Sequence, residues 1–250
     1  MRDFDTLVEE AGAAEIAGWN FDWLQGRALE QRPSWHYFDL VASAATSVSA
    51  MLDLEVGSGQ TIADLPHVPS LTVGTEGYRP NVRTAAARLR TRGASLVVPD
   101  TACRQLPLRS GTFELVTSRH PVTTWWDEIA RVLRPGGRYL SQQVGPHSVW
   151  DLTEYLMGPQ PGGSARDPDL AAEAAERAGL TVRTLRSERP KTEFYDIGAV
   201  VYYLRLVVWI VPDFTVDRYR DRLRALHEQI LRDGVFATTA SRFLIECVKA

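Results

Sequence analysis

The residues best able to do chemistry stand at the ends of short apolar runs. Asp53-Leu54-Glu55-Val56-Gly57-Ser58-Gly59 closes the run 51–54, Glu76 follows the run 71–74, and Asp100 follows the run 95–98. A strand that breaks into a glycine turn before a helix lets backbone N–H groups approach a ligand, because glycine has no Cβ. A carboxylate at the end of the next strand can accept from two vicinal hydroxyls in charge-assisted bonds, which suits Glu76. Asp100 is placed to accept from an exocyclic amino group. One such acid says little. Three at successive strand ends, in order, point to a single ligand site along the carboxyl edge of a sheet.

Those acids need elements to hold them. Residues 51–54, 71–74, 95–98, 113–117 and 137–141 read as five strands. Helical stretches lie between them at 80–92, closed by Gly93, and at 125–133, closed by Pro135-Gly136-Gly137. Strands alternating with helices predict an α/β chain with a mostly parallel sheet. The first fifty residues are helical in pattern (4–17 and 35–49) and crowded with aromatic rings at Trp19, Phe21, Trp23, Trp35, Tyr37 and Phe38. They predict a helical cap on a sheet edge or a lid over a pocket. After a loop at 159–169, the pattern predicts a helix at 170–178, a strand at 181–185, a charged helix at 216–232 capped near Gly234, and a last strand at 242–248.

Composition narrows the function. At 250 residues the chain is long for one minimal domain and short for two, so one core with attached segments is expected. A net charge of -3 lacks the basic excess that neutralises phosphates, which argues against a nucleic-acid partner and for a small molecule. Two cysteines, Cys103 and Cys247, with no CxxC, fit reduced thiols in the cytoplasm. The opening Met1-Arg2-Asp3-Phe4-Asp5 is acidic where a signal peptide would be basic and then apolar. The apolar run 198–211 is too short for a bilayer and carries Arg205, so it reads as core or pocket wall and no membrane partner is expected. The five histidines are scattered without metal-ligand spacing, and no metal is expected.

With these motifs the chain resembles the class I S-adenosylmethionine-dependent methyltransferases, specifically the broad small-molecule group. That group reads D-x-G-x-G-x-G, then an acid after strand two, then Arg131-Val132-Leu133-Arg134-Pro135-Gly136-Gly137 before strand five, with Phe113 to His120 similar to its strand four. The resemblance covers 50–145 well and the rest more loosely. It implies a Rossmann-like, seven-stranded, mostly parallel sheet with helices on both faces and strand seven antiparallel. It also implies S-adenosylmethionine as cofactor and a small-molecule methyl acceptor. Carried over by position, Asp53, Gly57 and Gly59 would line the methionine moiety, Glu76 the ribose, and Asp100 with Thr101 the adenine, with Arg119 on the same rim. The resemblance divides the chain into an N-terminal cap or lid at 1–49 and the α/β domain at 50–250, with 186–235 as a substrate-side insertion.

Glu55 departs from the pattern, standing where the family has its first glycine. Its carboxylate would repel the cofactor's carboxylate, or pair with its ammonium or sulfonium, and a positive φ would add a backbone cost. The alternative is therefore a methyltransferase fold with impaired cofactor binding, serving a non-methylating or binding role. His120 is a candidate general base because its ordinary pKa is near neutral; as a lone histidine it could equally orient a loop. Gln142 and Gln143 offer amides to the same rim. Tyr195, Tyr202, Trp209, Trp19 and Trp23 could face a lipophilic substrate. A homodimer is left open.

Overall fold

The computed structural model describes residues 3–16, 21–100 and 104–250. The chain forms two compact units: one from residues 33–145, 164–188 and 242–250, the other from 1–32, 146–163 and 189–241. In chain order the strands are β1 (Ala28–Glu30), β2 (Ala50–Leu54), β3 (Leu71–Thr75), β4 (Ser95–Val97), β5 (Phe113–Arg119), β6 (Leu133–Val144), β7 (Leu180–Glu188), β8 (Lys191–Phe194), β9 (Phe236–Thr239) and β10 (Arg242–Lys249).

The first unit holds the expected seven-stranded sheet, in the order β4-β3-β2-β5-β6-β10-β7. The pairs among β4, β3, β2, β5 and β6 are parallel, and β10 runs antiparallel to both its neighbours. Alternation along the strands sends side chains to two faces. Val116, Tyr139, Phe243 and Ile245 pack with Ile129 of the helix Trp126–Val132 and Ala175 of the helix Pro168–Arg177. Leu115, Leu140 and Leu244 pack with Tyr37 and Val41 of the helix Tyr37–Ala45. Helices therefore cover both faces, and β2 and β5 read as near-continuous apolar runs because they are buried on both sides.

Local chemistry explains the boundaries. The helix Arg79–Thr91 has Pro80 in its first turn and is followed by Gly93 at φ +71°. The stretch Pro135-Gly136-Gly137, expected to stop a helix before the fifth strand, lies inside β6, which begins at Leu133 with a register shift against β5. Gly136 has φ +74°, and a Cβ on Gly137 would stand 2.9 Å from the Arg134 carbonyl and 3.0 Å from that of Phe113. Glycine is required there by close backbone approach.

The second unit is built on the helix Ile197–Leu206, whose residues are all buried except Arg205. The apolar run seen in the sequence is thus core apart from half-buried Arg205 and the exposed Val208 and Trp209. The helix Phe4–Ala13 and the amphipathic helix Val216–Asp233 pack with it, the latter capped by the Thr215 hydroxyl and ended by Gly234 at φ +80°. Arg220 and Arg224 pair with Asp5, so the basic look of that helix is an ion-paired face. Two features escaped the sequence reading: the helix Trp150–Met157 and a small antiparallel sheet, β1-β8-β9. Its strands are three or four residues long and widely separated in the chain, too short for a period to show.

Leu115 is fully buried in β5 between two strands. Leu115→Ala should cost about 2–5 kcal/mol by deleting buried methyls and leaving a cavity, read as a fall in Tm of about 10 °C by calorimetry.

Candidate active site

Asp53 closes β2 with 4% of its surface exposed. The parallel register sets it beside Thr117 of β5, whose hydroxyl donates to Asp53 Oδ1 at 2.7 Å. Burial raises its pKa to about 7, against the opposing effects of the Thr117 bond and of nearby Arg119. The ionised form is thus disfavoured until a cation stands close by.

The turn after Asp53 has the glycine conformation even where it lacks the glycine. Glu55 has φ +54°, with Gly57 at +58° and Gly59 at +80°. The Glu55 N–H donates to Thr75 Oγ1 at 3.1 Å, the Val56 N–H to the Thr75 carbonyl at 2.9 Å, and Arg88 to the Ser58 carbonyl at 3.1 Å. A left-handed glutamate costs about 1–2 kcal/mol. Its side chain offsets part of that cost: Oε2 accepts from the Val122 N–H at 2.8 Å, in the loop after β5, with the Thr123 N–H also close. The side chain therefore ties the β2 turn to the β5 loop rather than turning to solvent. Burial raises its pKa, the two N–H bonds lower it, and the proximity of Glu76 raises it again.

Glu76, 5% exposed, follows β3 and is held by its own N–H donating to the Val97 carbonyl at 3.1 Å. Its carboxylate accepts from the Tyr78 N–H at 2.6 Å and from Asn81 Nδ2 at 3.4 Å. Asp100 lies exposed beyond β4, and Arg119 lies exposed at the end of β5. Thr101 and Trp19 fall outside the described residues.

His120 follows directly at φ +54°, its N–H donating to the Gln142 carbonyl at 2.7 Å. Trp35 Nε1 donates to Gln142 Oε1 at 2.7 Å, and Gln142 Nε2 lies 2.9 Å from His120 Nε2. An indole only donates, so the amide orientation is fixed and Gln142 Nε2 donates to the histidine, leaving the His120 proton on Nδ1. Burial, then the fields of Arg242, Arg119 and Arg166, hold its pKa well below the usual value. The ring is neutral with its Nε2 lone pair already engaged. Gln143 points to the opposite face, where its Oε1 is 3.5 Å from the Thr124 hydroxyl.

The structure thus brings Asp53, Glu55, Gly57, Gly59, Glu76, Arg119, His120, Gln142 and Gln143 into one unit, along the carboxyl ends of β2, β3, β5 and β6. The described aromatic candidates, Trp23, Tyr195, Tyr202 and Trp209, belong to the other unit. There Tyr202 is buried and stacked on Trp23 at 4.8 Å, Tyr195 donates to Glu193 at 3.0 Å, and Trp209 is exposed. Thr117, Trp35 and the Val122 N–H escaped the sequence reading. The first two are revealed only by strand register and tertiary contact, and a backbone donor has no signature at all. Among the described residues there is no helix long and apolar enough to cross a membrane and no cluster able to hold a metal.

Residues 52–141 match the family model described as a methyltransferase domain. The fold agrees across most of the chain. YcgJ of Bacillus subtilis superposes with a TM-score of 0.60 at 15% identity, covering 86% of this chain and 98% of that one. A geranyl diphosphate methyltransferase in complex with SAM aligns with a TM-score of 0.52 at 14% identity, over 85% of this chain and 84% of that one. The [4+2]-cyclase SpnF aligns at 0.51 and 17% identity, over 98% of this chain and 92% of that one. A search of curated proteins finds no match.

Since Asp53 binds a proton more tightly folded than unfolded, its burial costs stability above pH 7, and that cost fades as pH falls from 7 towards 4. Asp53→Asn should therefore gain stability relative to wild type at pH 8. The gain should shrink to about half by pH 5.5, measured by denaturant titration at both pH values.

Proposed function

We propose that this chain transfers a methyl group from S-adenosylmethionine to a small-molecule acceptor. The observation that carries the reading is the row of acids at successive strand ends, Asp53, Glu76 and Asp100, around a turn with left-handed glycines, inside the segment that matches a methyltransferase domain. The donor set fits the cofactor. Asp53 is a buried carboxylate that a cationic ammonium would stabilise in its ionised form, and Glu76 is anchored where it can accept from ribose hydroxyls. The cofactor supplies an electrophilic methyl carbon bonded to sulfur. The chain's own residues bind, orient and exclude water, and rate comes from aligning the acceptor atom with that carbon. His120, neutral and bonded through Nε2, positions the β5 loop and the Gln142 amide. Segments 1–49 and 186–235 are proposed as cap and substrate-side insertion.

Calorimetric titration with S-adenosylmethionine and S-adenosylhomocysteine tests this. Micromolar binding, about -8 kcal/mol, is expected. Glu76→Ala should weaken it by about tenfold or more, the loss of charge-assisted bonds. Because binding draws on the ionised form of Asp53, affinity should fall progressively as pH drops below 7. Unchanged affinity in both Asp53→Ala and Glu76→Ala would reject this site.

A second reading is favoured by one observation, the bond from Val122 N–H to Glu55 Oε2. It lays a side chain from the β2 turn to the β5 loop, in the family's glycine position. On that reading the fold serves a non-methylating or binding role. Glu55→Gly decides: tight cofactor binding that appears only in this variant identifies Glu55 as the block, whereas equal binding in both proteins removes the second reading.

A further inference from the structure

His120 stands at the end of a chain of contacts that begins at β7, all of it within the sheet unit. Trp35 is buried just before the helix Tyr37–Ala45, in the cluster that holds Leu115, Leu140 and Leu244. Strand β7 clamps it. The Arg186 guanidinium lies 5.6 Å over the indole ring and donates to Ser34 Oγ at 3.1 Å, while the Ser34 N–H donates to Glu188 Oε2 at 2.9 Å. An indole held in this way keeps its Nε1–H on Gln142 Oε1, and the buried Gln142 amide keeps its own donor on His120 Nε2.

The chemistry at the end of this chain follows from counting donors. A neutral imidazole carries one N–H and one lone pair. The lone pair on Nε2 is engaged, so the proton is on Nδ1, and Nδ1 has no acceptor among the described residues. The ring is half-buried and its Nδ1 is not sealed from solvent. Asp53 stands opposite Thr117 and Arg119 opposite Gln142, so these four side chains share one face of the sheet. The His120 ring reaches Gln142 on that face, and Arg119 acts on both Asp53 and His120. The charged groups that bear on the ring are Arg119 of β5, Arg242 of β10 and Arg166 of the turn before the helix Pro168–Arg177, and each disfavours a second proton.

We propose that Trp35 and Gln142 are positioning residues that set His120 as a fixed hydrogen-bond donor, its Nδ1–H serving the carboxylate of the bound cofactor. The carboxylate rests on the methyl-transfer reading above; the tautomer does not. Asp53 is assigned the cofactor's ammonium, and the carboxylate is one carbon away from it, so its donor belongs on the same face of the sheet. A neutral donor there also offsets the Glu55 carboxylate that replaces a glycine in the β2 turn. His120 then orients the cofactor and takes no proton from the acceptor.

Heteronuclear NMR of the histidine ring nitrogens in the intact protein tests this, with the His120 signal identified by its loss in His120→Asn. Wild type should show Nδ1 protonated and Nε2 bare, unchanged from pH 8 to pH 6. Trp35→Phe lets the amide rotate, and a mixture with the Nε2–H form is expected. Gln142→Glu presents only acceptors, so at pH 8 the proton should move to Nε2, and the ring should titrate about 1–3 pH units higher than in wild type. The other histidine signals should hold their places, which separates this change from unfolding. A merely structural Trp35 would lower Tm and leave the tautomer alone. S-adenosylhomocysteine should move the Nδ1 proton downfield, its decarboxylated analogue should not, and Gln142→Glu should weaken S-adenosylhomocysteine binding about tenfold or more at pH 8. The proposal is overturned if the wild-type proton lies on Nε2, if neither variant moves it, or if S-adenosylhomocysteine binds without moving the Nδ1 proton. A correct tautomer with no binding of S-adenosylhomocysteine would reject the methyl-transfer reading and the carboxylate with it, and would uphold Trp35 and Gln142 as positioning residues.

Discussion

A carboxylate buried at the end of a central strand must be satisfied, and the pairing of β2 with β5 satisfies it. The register that sets Asp53 opposite Thr117 also sets Leu54 opposite Ser118 and brings the two following turns side by side. Every polar group of the site hangs from that pairing. Glu55 reaches the β5 loop because the two strand ends are level, and Glu76 follows because β3 is in register with β2 on its other side. A one-residue slip would turn each of these side chains to the opposite face.

Much of this was legible in the sequence because it is local. The five apolar runs, the glycines of the turn and the acid after each run are contiguous patterns, and the sheet follows from their alternation with helices. The exception, Pro135-Gly136-Gly137, reads locally as a helix stop. It lies inside β6 because a close approach of backbone to backbone, invisible in a single segment, demands glycine there. That β10 inserts between β6 and β7 was not legible, since nothing in its own residues states its partners.

The site divides in the same way. Which residues stand near the carboxyl ends could be read from position, but what they do could not. Glu55 was readable as an oddity, yet its bond to a backbone N–H in another loop depends on tertiary geometry. His120 was readable as a titratable ring near neutral pH. Its burial and the relay from Trp35 through Gln142 give it one tautomer and engage its lone pair, and those are properties of the assembled sheet.

The place of β10 bears on how the molecule is made. β7 ends at Glu188, but its pairing partner spans Arg242–Lys249, and the intervening segment 189–241 belongs to the other unit. During synthesis β7 therefore waits as an unpaired edge while some fifty residues of a separate core are added, and only then does β10 slot between β6 and β7. A long wait with an open edge favours pairing with other chains. The three charged residues of β7, Arg183, Arg186 and Glu188, make that edge a poor template for a stranger.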